Sequence, residues 1–143
     1  MFYECTKLTT APDLPATTLA NACYWQMFDR CYDLVKVPLI LPATTLARNC
    51  YQGMFVGCTS LTTAPELPAT SLETYCYESM FNGCTNLNYI KAMFTTTPGS
   101  SYTQSWVYNV SSTGIFVKNS AATWTTTGAN GVPTGWTVQT ASS

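Results

Sequence analysis

Apolar positions along residues 1–94 fall into columns that return every 26 or 27 residues. Cys5, Cys31, Cys58 and Cys84 form one column and Cys23, Cys50 and Cys76 a second. Met27-Phe28, Met54-Phe55 and Met80-Phe81 form a third, and Leu8, Leu34, Leu61 and Leu87 a fourth. The cysteine, tyrosine, methionine and phenylalanine of "CYQGMFVGC" (50–58) recur in "CYWQMFDRC" (23–31) and "CYESMFNGC" (76–84). "APDLPATTL", "PLILPATTL" and "APELPATSL" follow the leucines, and the middle copy has one extra residue before its second proline, which accounts for the 27-residue step. Units of this length cannot bury an apolar face alone, so they stack and repeat one core layer.

Within a unit, "CTSLTTAPELP" has β-compatible spacing with threonines outward, and its two prolines end the strand and forbid a helix. The next stretch, "ATSLETYCYESMFNGC", places Leu72, Cys76, Met80 and Phe81 at i, i+4, i+8 and i+9. That spacing predicts one helical face, with Thr70 and Glu73 as a capping box. Gly57 and Gly83 fall where a left-handed helix terminator is wanted, although Arg30 occupies that place in the first copy. The expected fold is an α/β leucine-rich-repeat solenoid with one short strand and one short helix per repeat, a parallel sheet on one side and a C-terminal cap. On this reading Cys5, Cys23, Phe28, Cys31, Cys50, Phe55, Cys58, Cys76, Phe81 and Cys84, with Leu61 and Leu87, build the core.

Met1-Phe2 falls in the Met-Phe column, which predicts an array truncated at its N-terminus and open to end-to-end self-association through Met1, Phe2 and Leu8. Residues 95–143 form the second region. Trp106-Val107 lies 26 residues after Met80-Phe81, so "YTQSWVYNVSSTGIFVK" reads as a degenerate repeat. Trp124, the turn signals from Gly128 to Gly135 and the strand-like "GWTV" read as a closing cap, with "QTASS" expected to fray and "TTTPGSS" as the joining loop.

Composition narrows the function. Of 143 residues only 9% are charged, the net charge is −1, and the lysines and arginines stand singly, so a nucleic-acid partner is not expected. No apolar run reaches the length of a membrane span, and membrane insertion is not expected. The chain has no His, which removes Ser-His-Asp and Cys-His nucleophiles and the commonest transition-metal ligand. Asp13 and Glu66 occupy equivalent repeat positions, so the register scatters the carboxylates a glycosidase would need close together. The seven cysteines read as reduced, buried ladders without Cys-x-x-Cys metal geometry, and a disulfide between neighbouring layers stays open as the alternative. No catalytic, cofactor-binding or metal-binding residue is therefore assigned, and no cofactor is expected.

Candidate ligand contacts are the positions that differ between otherwise equal copies: Trp25, Gln26 and Arg30 in one, Gln52 in the next, Glu78 and Ser79 in the third. The outward threonines Thr9 and Thr62, with Val35-Lys36 between them, suggest a polar surface for a glycan or protein. Tyr24, Tyr51 and Tyr77 read either as a stacking surface for sugars or as rings that cover the layer beneath.

The run "LPATTLARNCYQGMFVGCTSLTTAPELP" resembles the bacterial surface leucine-rich repeats called BspA-like, with Met-Phe in place of their Ala-Phe. "STGIFVK" and "VPTGWTV" are similar to the ends of such arrays in gut bacteria and their phages. The resemblance implies an extracellular, cell-surface or virion-tail location and non-catalytic adhesion to a protein or glycan on a host or bacterial surface. Two other readings are a structural spacer in a larger surface or phage-tail protein and a polysaccharide-active enzyme.

Overall fold

A computed structural model of the chain describes residues 2–141, so the expected place of Met1 in the Met-Phe column lies outside the described residues. Its regular elements are three short strands, β1 (Tyr89–Ala92), β2 (Ile115–Lys118) and β3 (Thr137–Thr140), paired in parallel in the order β1-β2-β3. The register sets Tyr89 against Ile115 and Ile115 against Thr137. Single parallel bridges carry the pairing back through the earlier repeats, at Thr63–Tyr89, Leu67–Ala92, Ile40–Glu66 and Thr10–Lys36. Ile90, Ala92 and Phe116 point inward from the strands, while Tyr89 and Lys91 are only half-buried. Within the tail expected to fray, Gln139 and Thr140 belong to β3, and Ala141 is buried with its N–H on the Lys118 carbonyl. Ser142 and Ser143 lie outside the described residues.

The leucine-rich-repeat expectation is overturned, because no helix occurs among the described residues and the segment expected to be helical is a ribbon of consecutive turns. Turns cover 21–30, 48–57, 74–83 and 100–109. In the first of these, the N–H groups of Cys23, Trp25, Met27, Asp29 and Cys31 each donate to the carbonyl three residues back, at 3.1–3.2 Å. The alternate N–H groups of Ala22, Tyr24, Gln26, Phe28 and Arg30 donate to Arg48, Cys50, Gln52, Met54 and Val56 of the next coil, at 2.7–3.0 Å. Every N–H from Ala22 to Cys31 is thereby used, half within the coil and half between coils. Asn49, Tyr51, Gly53, Phe55 and Gly57 bond the third coil in the same way, and Tyr75, Tyr77, Ser79, Phe81 and Gly83 bond the fourth.

A left-handed residue stands at every fourth position: Ala22, Gln26 and Arg30, then Asn49, Gly53 and Gly57, then Tyr75, Ser79 and Gly83. Each is the third residue of a four-residue turn, where a positive φ defines the type II geometry that favours Gly or Asn. Gly53, Gly57 and Gly83 therefore serve turns and do not terminate helices. A non-glycine residue pays about 1–2 kcal/mol for this conformation. Each four-residue step closes two turn bonds and two bonds to the next coil, worth about 1 kcal/mol apiece, which offsets that cost.

Side chains pointing inward from one step stack on their counterparts in the next coil. Phe2, Phe28, Phe55 and Phe81 form one column with ring centroids 5.4–5.7 Å apart, and Tyr24, Tyr51 and Tyr77 a second at 5.8–6.0 Å. Trp106 covers both, lying 5.7 Å from Tyr77 and 6.1 Å from Phe81. Its indole N–H donates to the Gly131 carbonyl, while Trp124 and Trp136 donate to Phe94 and Ser111, so the wide rings of the C-terminal region are tied to backbone. Gly114 admits Trp136, since a Cβ there would stand 2.7 Å from the indole and 2.6 Å from the Asn88 carbonyl.

The turn ribbon and a helix predict opposite signs for one substitution. Ser79→Gly, at a left-handed φ of 54°, should raise stability by about 1 kcal/mol, whereas in a helix it would lower stability by a few tenths to about 1 kcal/mol. Gly83→Ala should cost about 1 kcal/mol or more. Denaturant midpoints of the two variants decide between the two local structures.

Candidate functional site

The copy-specific residues of the ribbon share a face but do not converge. Trp25 is 53% exposed, and Gln52 and Glu78 occupy the corresponding places in the next two coils. Gln26 and Ser79 hold left-handed positions, and the Gln26 N–H is bonded to the Gln52 carbonyl. The Gln52 side chain accepts a bond from the Asn49 amide. Arg30 is committed to its neighbours: Nη1 lies 2.7 Å from Glu4 Oε1 and 3.2 Å from the Tyr3 hydroxyl, with the guanidinium over the Tyr3 ring. Asp29 beside it is buried with Oδ1 lacking a hydrogen-bond partner, and burial pushes its carboxyl up against the opposing pull of Arg30. Tyr51 and Tyr77 are fully enclosed and offer no face to a sugar. Thr9 and Thr62 are exposed on the opposite, strand side.

The cysteines are free thiols, with Cys31, Cys50, Cys58, Cys76 and Cys84 buried, Cys5 half-buried and Cys23 exposed. Cys31, Cys58 and Cys84 donate from Sγ to the carbonyls of Phe2, Phe28 and Phe55 in the preceding coil, at 3.0–3.1 Å. Burial drives the thiols up, Cys50 to about 11 and Cys76 and Cys84 to about 12, and also raises Cys58. These groups are packing elements with suppressed thiolate, the reverse of a reactive cysteine. No group of three or more His, Cys, Asp or Glu side chains suited to a metal ion occurs among the described residues.

The feature that stands apart is on the strand side of the second coil. Where the first and third copies read "LTTAPDLP" and "LTTAPELP", the second reads "LVKVPLILP". Leu14, Leu41 and Leu67 share the inward position and are buried, so the extra residue is displaced outward. That residue is Leu39, 91% exposed, and beside it Ile40 (40%) takes the place of Asp13 and Glu66. Val35, at 50%, replaces a threonine. The backbone beneath is fixed: the Glu66 N–H donates to the Leu39 carbonyl at 2.8 Å and the Leu41 N–H to the Glu66 carbonyl at 3.1 Å. Pro38 and Pro42 stiffen both ends.

This ridge divides two hollows. One, of about 540 Å³, runs from Val35 and Leu39 across Thr63 and Glu66 to Tyr89 and Lys91, with Lys36 on its wall. The other, of about 450 Å³, lies between Leu39 and Ile40 and the first coil at Asp13 and Pro15. Lys91 Nζ sits 3.4 Å from Glu66 Oε1, and Lys36 has no carboxylate within ion-pair distance among the described residues. The candidate ligand residues read from sequence did not include Leu39, Ile40 or Pro38. The available signal was the loss of polarity at outward positions in one copy while its inward positions stayed constant. No protein-family model, curated protein or solved structure matches this chain.

Thiol titration of the native chain should register Cys23 and Cys5 first and the five buried cysteines only on denaturation. Because the folded thiols titrate above their ordinary value of 9.0, their contribution to stability is complete below about pH 9 and is lost as pH rises through 11 to 12. Denaturation midpoints across that range check the sign.

Proposed function

We propose that the chain is a non-catalytic binding module that meets a protein or glycan with the ridge and hollows of its second coil. The observation that carries this is Leu39, an aliphatic side chain held almost wholly in water on a backbone fixed by two hydrogen bonds and flanked by prolines. Burying such a side chain against a ligand returns about 1.5–3 kcal/mol, with little ordering cost where the backbone is already fixed. Contiguous exposed apolar surface rimmed by polar groups is the usual mark of an interaction site. The Trp25, Gln52 and Glu78 face is the weaker candidate, because Gln52 and Arg30 are engaged by their neighbours.

An extracellular setting, on a cell surface or a virion tail, belongs to the same reading. It is supported by the resemblance of the repeat columns to surface adhesins, and the suppressed thiolates would let these cysteines persist reduced in an oxidising medium.

Binding of the labelled chain to intact bacterial and host cells and to purified polysaccharides tests the proposal. Two variants run beside it: one returns the second coil toward its neighbours (Val35→Thr, Leu39→Ser, Ile40→Glu), and the other changes Trp25, Gln52 and Glu78 to Ala. Saturable binding should weaken roughly 30-fold or more in the first and remain in the second. Leu39→Ser alone should hold its melting temperature, because Leu39 buries almost nothing in the free chain. Binding that survives the first variant overturns this placement, and no binding to any target favours a spacer role.

A further inference from the structure

We infer, on the basis of that binding reading, that the ridge and the larger hollow receive an extended aliphatic segment of another protein flanked by carboxylates. The surface is a projecting aliphatic side chain beside a trough whose lining mixes apolar side chains with two lysines and one glutamate. Leu39 gains from a ligand only if apolar atoms close around it, which a polyhydroxylated sugar does poorly and clustered Leu, Ile or Val side chains do well. The trough is walled by Val35, Leu39 and the half-buried Tyr89 and crosses three coils, an open course that suits a length of chain laid across the stack.

Charge sets the rest of the occupant's chemistry. The chain has six Lys and Arg residues in all and a net charge of −1, yet two of the six, Lys36 and Lys91, line this trough with Glu66 as its one acid. Lys91 is matched by Glu66 at 3.4 Å, and Lys36 has no such partner among the described residues. The trough is thus locally cationic on a weakly acidic molecule. A carboxylate beside the occupant's aliphatic residues satisfies Lys36, whereas a basic segment is repelled. Its apolar floor admits the aliphatic side chains and its lysines fix their register.

A random linear peptide library displayed on phage and panned on the immobilised chain tests this. Enriched peptides should pair Leu, Ile, Val or Met with Asp or Glu. They should bind Leu39→Asp roughly 30-fold more weakly, and Lys36→Glu should shift enrichment toward Lys and Arg. Enrichment without that pairing, or peptides indifferent to both substitutions, overturns the inference. The same chain is exposed to a polysaccharide panel and to sedimentation analysis. Polysaccharide binding lost in Leu39→Asp preserves the ridge as a ligand surface but overturns the protein occupant. Self-association lost in Leu39→Asp overturns it too, since a second copy then fills the trough. If peptides, polysaccharides and cells all fail to bind, the binding reading itself falls.

Discussion

The structure depends on how the turn ribbon spends its backbone donors. One N–H in two closes a turn within its own coil, and the next reaches the coil beyond, so neighbouring coils are joined by main-chain bonds on the ribbon side as well as on the strand side. A helix would turn every donor beyond its first turn onto its own carbonyls and leave the coils joined on that face chiefly by side chains. The ribbon accepts left-handed residues such as Ala22, Tyr75 and Ser79 because the coil-to-coil bonds hold them. Where those bonds are absent, such a residue has only its cost.

A ladder of this kind fixes the register of the coils, and the side-chain columns follow from it. Strands joined by hydrogen bonds lie about 4.8 Å apart, and the phenylalanine and tyrosine rings, offset along the stack, sit with centroids at 5.4–6.0 Å. Phe55 lies between Phe28 and Phe81, so a smaller residue there would lose ring contact both above and below. The thiols of Cys31, Cys58 and Cys84 answer a second demand of the same geometry, capping the carbonyls of Phe2, Phe28 and Phe55. Trp106 spans two columns with one side chain, at the coil where the sequence period fades.

The stacking period is legible in the sequence because core layers repeat, and the local conformation is not, because two structures share nearly the same spacing. Leu72, Cys76, Met80 and Cys84 are separated by fours. A helix advances about 100° per residue, so three such steps rotate the face by about 120°, whereas the ribbon returns to the same face each time. The unbroken fours, continued past Met80 to Cys84, and the glycines at 53 and 57, four apart, were the distinguishing marks. The ridge was hidden for another reason. Ile40 and Leu41 are adjacent aliphatics, one outward and one inward, and only the structure shows which of them the extra residue displaced.

A fixed register also explains how one coil could acquire a different outer surface without harm to the stack. Leu14, Leu41 and Leu67 must keep their depth, and Glu66 bonds the second coil on both sides of Ile40, through the Leu39 carbonyl and the Leu41 N–H. An additional residue between Pro38 and Ile40 has nowhere to go but outward. An inserted polar residue would have been easily solvated there. A leucine instead leaves apolar surface in water, a state with no folding benefit to offset it. Core layers in this architecture are bound to one another by backbone geometry and outer positions are not, so a costly outer residue on an otherwise regular coil is where a demand from outside the fold would leave its trace.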